Sequence, residues 1–137
     1  MAEPPLVPVS WGELLDKITI LEIKRVRLRS PDAVANTERE LAALRALLAG
    51  LDAPEVLSGL RHALAQVNEQ LWSIEDAIRA KEAAGDFGAE FVALARSVYR
   101  QNDERGRIKR AINQLLGSEL TEEKQYTPYP SGRGPHN

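Results

Sequence analysis

The chain has 137 residues, of which 43% are hydrophobic and 28% charged, with a net charge of −2 and no cysteine. That length suits one domain with a buried core, and the composition is not that of a disordered chain. The near-neutral balance offers no global field for nucleic acid or an anionic membrane, and the missing cysteines exclude disulfides, thiolate catalysis and cysteine-ligated zinc.

The opening MAEPPLVPVS has no basic region followed by an apolar run, so no signal peptide is expected. No window approaches the roughly 18 apolar residues of a membrane span. The expected location is the cytoplasm, with no membrane and no nucleic-acid partner. Residues 1–9 carry three prolines and read as an extended lead-in. Ser10 and Glu13 have the spacing of a capping box, in which each side chain satisfies a free amide at a helix start. A first helix is predicted over about 11–29 and ends at Ser30-Pro31, because the residue before proline avoids helical angles. Lys24, Arg25, Arg27 and Arg29 fall in its last turns, where cations oppose the helix dipole. A solvated helix end explains them better than a nucleic-acid patch.

Ser30 and Pro31 open a second helix over about 32–49, with Gly50 as its stop and Leu41, Leu44, Leu47 and Leu48 as its buried edge. Thr37 to Glu40 forms another capping box and offers a later start. A third helix is predicted over about 54–84. Its Leu57, Leu60, Leu64, Val67, Leu71, Ile74 and Ile78 alternate steps of three and four, a coiled-coil-like heptad seam. Gly85-Asp86-Phe87-Gly88 breaks the pattern, and a fourth helix is predicted over about 89–116, closed by Gly117. The short break makes the third and fourth helices an antiparallel hairpin. The expected fold is all-α: a four-helix bundle built on that hairpin, with one domain over 1–126 and a mobile tail over 127–137. No sheet is expected.

The packing faces contain charge. On a wheel of about 100° per residue, Trp11, Leu14, Leu15, Ile18, Leu21, Val26 and Leu28 gather on one broad face, with Glu22 and Arg25 inside it. On the third helix Asn68, Trp72, Glu75 and Arg79 share a neighbouring face. On the fourth, Asn102, Arg105 and Lys109 lie within the arc of Phe91, Leu94, Val98, Ile112 and Leu116, and Tyr99 sits on the same side as Arg105. A buried charge without a partner costs several kcal/mol. A polar layer is therefore expected, with Glu22 and Glu75 set against Arg25, Arg79, Arg105 and Lys109.

Three uses of such a layer are open. It can be a salt-bridge network that fixes helix register. It can be a pocket in which Arg25, Arg105 and Lys109 clamp a small anionic ligand, with Trp72 or Tyr99 as a wall. It can be an enzyme site on an anionic metabolite, with Glu22 or Glu75 as general acid or base. The only histidines, His62 and His136, are too separated for a triad or a histidine metal site, and no phosphate-binding glycine motif is present. No metal and no cofactor are expected. The interior cations resemble those of chorismate-mutase-like bundles only in kind. The E-E-x-x-E and E-x-x-D spacing of all-helical nucleotide pyrophosphohydrolases is missing.

Three stretches are familiar: WGELLDKITILEIKRVRL (Trp11–Leu28), VNEQLWSIEDAIRAKEAAGDFGAEF (Val67–Phe91) and LARSVYRQNDERGRIKRAINQLLGSELTEEKQY (Leu94–Tyr126). They resemble a bacterial family of short all-helical proteins, domain-of-unknown-function family 6165. The resemblance implies an all-helical fold and places Asp16, Lys17, Glu22, Lys24, Asn68, Trp72, Glu75, Asp76, Arg79, Tyr99, Asn102, Asp103, Arg105 and Lys109 in the family pattern. It implies no reaction. Its extension to Tyr126 suggests that residues 118–126 fold back on the bundle. The leading expectation is a binding or interaction module without catalysis. The first two helices are too short to cover the hairpin, so a homodimer is expected on the exposed remainder of the seam.

Overall fold

Four stretches of sequence take up helical structure, each with an identifiable start or stop. The computed structural model describes residues 2–117, of which 79% are helical with no strand among them. The packing expected of 118–126 and the mobility expected of 127–137 lie outside the described residues.

Helix α1 is Trp11–Arg27. Ser10 Oγ accepts the Glu13 amide at 3.1 Å, which is half of the expected capping box. The other half does not form, because the Glu13 carboxylate takes Lys109 Nζ at 2.7 Å instead. The helix ends two residues earlier than expected, at an extended Leu28. Helix α2 is Pro31–Leu48, with Ser30 Oγ accepting the Ala33 amide at 3.4 Å. The later start at Thr37 is not used: Thr37 is inside the helix and donates to the Ala33 carbonyl at 2.9 Å. Helix α3 is Val56–Ala84, slightly shorter than expected at its start. Helix α4 is Ala89–Leu116, with the expected bounds. Gly85 and Gly117 close α3 and α4 with φ of 65°, a left-handed conformation that favours glycine. Gly50, expected to do the same for α2, does not have a positive φ.

At 1.5 Å per residue, α3 and α4 are each about 42 Å long, and they pack against each other as an antiparallel hairpin. Helix α1 lies against both of them and also against α2, whereas the backbone of α2 packs on α1 alone. The broad apolar face expected of α1 is in fact two faces. Leu15 joins Leu57, Leu64, Val67, Leu71, Ile108 and Ile112 in the core shared with the hairpin. Leu14, Ile18 and Leu21 join Leu41 in a second core shared with α2. Trp11 and Leu48 pack against both cores. Val26 and Leu47, expected inside, are 78% and 58% exposed. Their helices end near them, beyond the reach of the facing elements.

The buried seam of the hairpin stops at Leu71 on α3 and begins again only at Asp103 on α4. Everything between is half-buried or exposed. The lower hairpin is thus a three-helix core, and the upper hairpin is an arm of two helices.

Candidate functional site

Helix α1 presents Gly12, Asp16 and Thr19 in steps of four and three, so the three share a face. That face meets α3 and α4. Asp16 is 1% exposed, and its carboxylate and carbonyl accept hydrogen bonds from three side chains. Arg105 Nε donates to Asp16 Oδ1 at 2.8 Å, and Arg105 Nη2 donates to Asp16 Oδ2. This is the two-pronged fork geometry that makes arginine–carboxylate pairs strong. Asn68 Nδ2 donates to Asp16 Oδ1 and to Thr19 Oγ1, each at 2.9 Å. Thr19 Oγ1 in turn donates to the Asp16 carbonyl at 2.8 Å. One carboxylate thus ties α1 to α3 through Asn68 and to α4 through Arg105.

One turn toward the start of α1, Glu13 holds Lys109, whose side chain is only 7% exposed. Beside it the Gly12 amide donates to Asn113 Oδ1 at 2.7 Å, which supplies an acceptor for one of the unpaired amides of the helix start. The approach is close. A Cβ on Gly12 would lie 2.5 Å from the Lys109 carbonyl oxygen, so only glycine fits there. Toward the other end of α1, Glu22 accepts from Arg45 of α2 at 2.6 Å and from Arg61 of α3 at 3.4 Å. It links α2 to the hairpin. At the last turn Arg27 pairs with Glu69 and lies 5.9 Å from the centre of the Trp72 ring, within cation–π range.

The polar layer expected from the sequence therefore exists, but part of its membership differs. Glu22, Asn68, Arg105 and Lys109 belong to it. Asn102 is at its margin, with Arg105 Nη1 at the limit of hydrogen-bond range, 3.5 Å. Trp72 is half-buried under Arg27. Arg25 is half-buried at the end of α1. Glu75 and Arg79 are not in the layer: both are exposed on the upper arm, which α1 does not cover. Tyr99 is 40% exposed, also on the arm. Its phenol is held below its ordinary pKa by a hydrogen bond from Arg96, with the charges of Arg96 and Arg100 adding to the effect. In the sequence, only the family resemblance points to Asp16. Gly12, Thr19, Arg45, Arg61 and Asn113 carry no signal in the sequence pattern, and Glu13 shows there only as a cap.

The layer has matched charges. The carboxylates of Asp16, Glu13 and Glu22 each face a lysine or arginine. An open groove of about 410 Å³ lies elsewhere, between α3 and α4, lined by Glu69, Gln70, Ser73, Ile74, Ser97 and Gln101. It does not touch Asp16, Arg105 or Lys109. Among the described residues no three His, Asp or Glu side chains are grouped to hold a metal ion, and no helix is long and apolar enough to cross a membrane.

The model of a family of unknown function, DUF6165, matches residues 6–136, which takes in α2 as well as the three stretches that carry the polar layer. The chain belongs to this family. No curated protein and no solved structure matches it. The description of DUF6165 names no reaction, so a function for this member has to be argued from its geometry.

Proposed function

We propose that this DUF6165 protein is a helical interaction module of the cytoplasm. In this reading the interior charges hold the helices in one register and so keep the upper arm rigid for a partner. The mutual pairing of the layer is the observation that supports it best. Asp16 with Arg105, Glu13 with Lys109 and Glu22 with Arg45 and Arg61 answer one another's charges between helices. A clamp for an anionic metabolite would instead direct its guanidinium forks at the ligand. Glu75, one of two candidate acid–base groups, is exposed, and Glu22 is occupied by two arginines. Buried ionic groups are best attested as devices of register and specificity, which is the use assigned to them here.

The test is Arg105→Ala. Removing the guanidinium leaves a carboxylate that is 1% exposed without its main counter-charge. The expected loss is about 3–5 kcal/mol. For a domain of this size the melting temperature should fall by roughly 10–20 °C. Native mass spectrometry of the purified full chain should show no added mass from a co-purifying ligand. A variant that melts like the wild type but loses a co-purifying anion would overturn the reading in favour of a ligand site or an enzyme.

A further inference from the structure

We propose that residues 118–126 run back along the outer side of α4 as a strap, with Lys124 paired to Asp103. Asp103 is the first buried residue of α4, only 6% exposed, yet it lies off the core. It stands about two and a half turns from the fully buried Ile112, and so on the opposite side of the helix. Helices α1 and α3 are the described elements that α4 packs against, and both meet it on the side of Arg105, Ile108 and Ile112. Residues 2–9 are exposed throughout, so they do not lie over Asp103 either. Gly106, one turn on, has no side chain to cover it. The cover is therefore the chain that follows α4.

That cover has to bring a cation. Among the described residues Asp103 has no hydrogen bond and no ion pair. Arg107, one turn on, pairs with Glu104, and Arg100, one turn back, adds its charge to Tyr99. A carboxylate buried without a counter-charge is strongly unfavourable.

The length of the return selects Lys124. Gly117 ends α4 in a left-handed conformation, which turns the chain out of the helix. Asp103 lies about 14 residues before it, or roughly 21 Å down the axis. An extended segment rising roughly 3.3 Å per residue covers that span in about six or seven residues. It reaches Asp103 at residues 123–124, and Lys124 is the first basic residue after Gly117.

The remaining charges agree with this path. In an extended segment successive side chains face opposite ways. With Lys124 toward α4, Glu122 faces α4 as well, and Glu119, Thr121 and Glu123 face water. Asp103, Arg107 and Arg110 follow one another in steps of four and three, so they form one row on the outer side of α4. At the same rise Glu122 comes level with Gly106, within reach of Arg107, whose guanidinium keeps donors beyond those it gives Glu104. The strap thus meets a negative level with a lysine and a positive level with a glutamate.

Hydrogen–deuterium exchange on the full chain tests the pair. The amides of 119–126 should exchange about tenfold or more slower than in an unstructured chain. Asp103→Asn and Lys124→Gln should each abolish most of that protection. The double variant should exchange no faster than either single one, because the same pair is lost in all three. A cysteine trap tests the path. The wild type has no cysteine and Arg107 is exposed. Arg107→Cys/Glu122→Cys therefore puts one thiol on each element and leaves Asp103 and Lys124 in place. Under mild oxidation it should close a disulfide within one chain. Arg79→Cys/Glu122→Cys, with its first thiol on the arm, should not. Wild-type exchange of 119–126 at the unstructured rate, single substitutions whose effects add, or a trap that closes only between chains or not at all would overturn the proposal. None of these results touches the register role of the interior layer, whose failure would appear in the Arg105→Ala experiment.

Discussion

Asp16 lies outside the apolar arc of α1 in the sequence and is core in the structure. On a helical wheel of about 100° per residue it falls away from the arc of Leu14, Ile18 and Leu21, beside Gly12 and Ile23. What that wheel cannot display is a second packing face. Gly12, Asp16 and Thr19 carry little apolar area, so hydrophobic periodicity is blind to them, yet their face is where α1 meets the hairpin. The missing Cβ of Gly12 is the readable trace. Its Cβ position lies 2.5 Å from a backbone oxygen and 2.9 Å from Asn113 Oδ1. A methyl there must push α1 and α4 apart. Gly12→Ala should therefore destabilise by roughly 1–3 kcal/mol, against the roughly 1 kcal/mol that alanine gains in helix propensity elsewhere. Urea unfolding measures the difference, and a variant more stable than the wild type would show that the two helices do not approach this closely.

The elements follow local rules where their ends are exposed and depart from them where another element intervenes. The hairpin tip is local. Gly85 turns left-handed, and the Asp86 carboxylate accepts the Gly88 amide at 3.1 Å and pairs with Lys81 at 3.1 Å. Those contacts, the Gly88 amide first and Lys81 second, hold the Asp86 pKa below its ordinary value. A depressed carboxylate pKa contributes stability above the unfolded value, near pH 3.9 or so, and that contribution is lost as pH falls through the folded pKa. Lys81 shifts the other way, upward, through hydrogen bonds to Glu90 and then Asp86. Its share is present below about pH 10.4 and is lost as pH rises through the folded value. The groups are exposed, so the outcome is fraying of the tip. Amide exchange at Gly88 should quicken, relative to the rest of α4, below about pH 4, and Asp86→Ala should quicken it at neutral pH. The start of α1 is the opposite case. Its capping box is half-made because Lys109 competes for Glu13 and wins, a long-range contact that no local pattern contains.

Across the whole molecule α1 is the hub, and its neighbours are unequally held. The α3–α4 hairpin buries a continuous seam over its lower half. Helix α2 buries only Thr37 and Leu41 among its residues and rests its backbone on α1 alone. Few buried contacts mean easier local opening. Native-state hydrogen exchange should find the amides of α2 protected less than those of α3 between Leu57 and Leu71, by roughly tenfold or more. Equal protection would mean that the two cores unfold as one.

Hairpin, heptad seam and helix breaks are all determined by the sequence, because they depend on residues near one another: leucine spacing, a glycine-flanked turn, serine–proline starts. The presence of a polar layer was legible too, since Glu22, Arg105 and Lys109 stand within apolar arcs on single helices. Which charges meet was a matter for the tertiary structure alone. Glu75 and Arg79 continue the same stripe as Asn68, yet they are exposed because α1 ends its cover near Trp72. Asp16 is buried because two other helices converge on it. Burial of a charge depends on where neighbouring helices begin and stop in space, and spacing along one helix does not encode that.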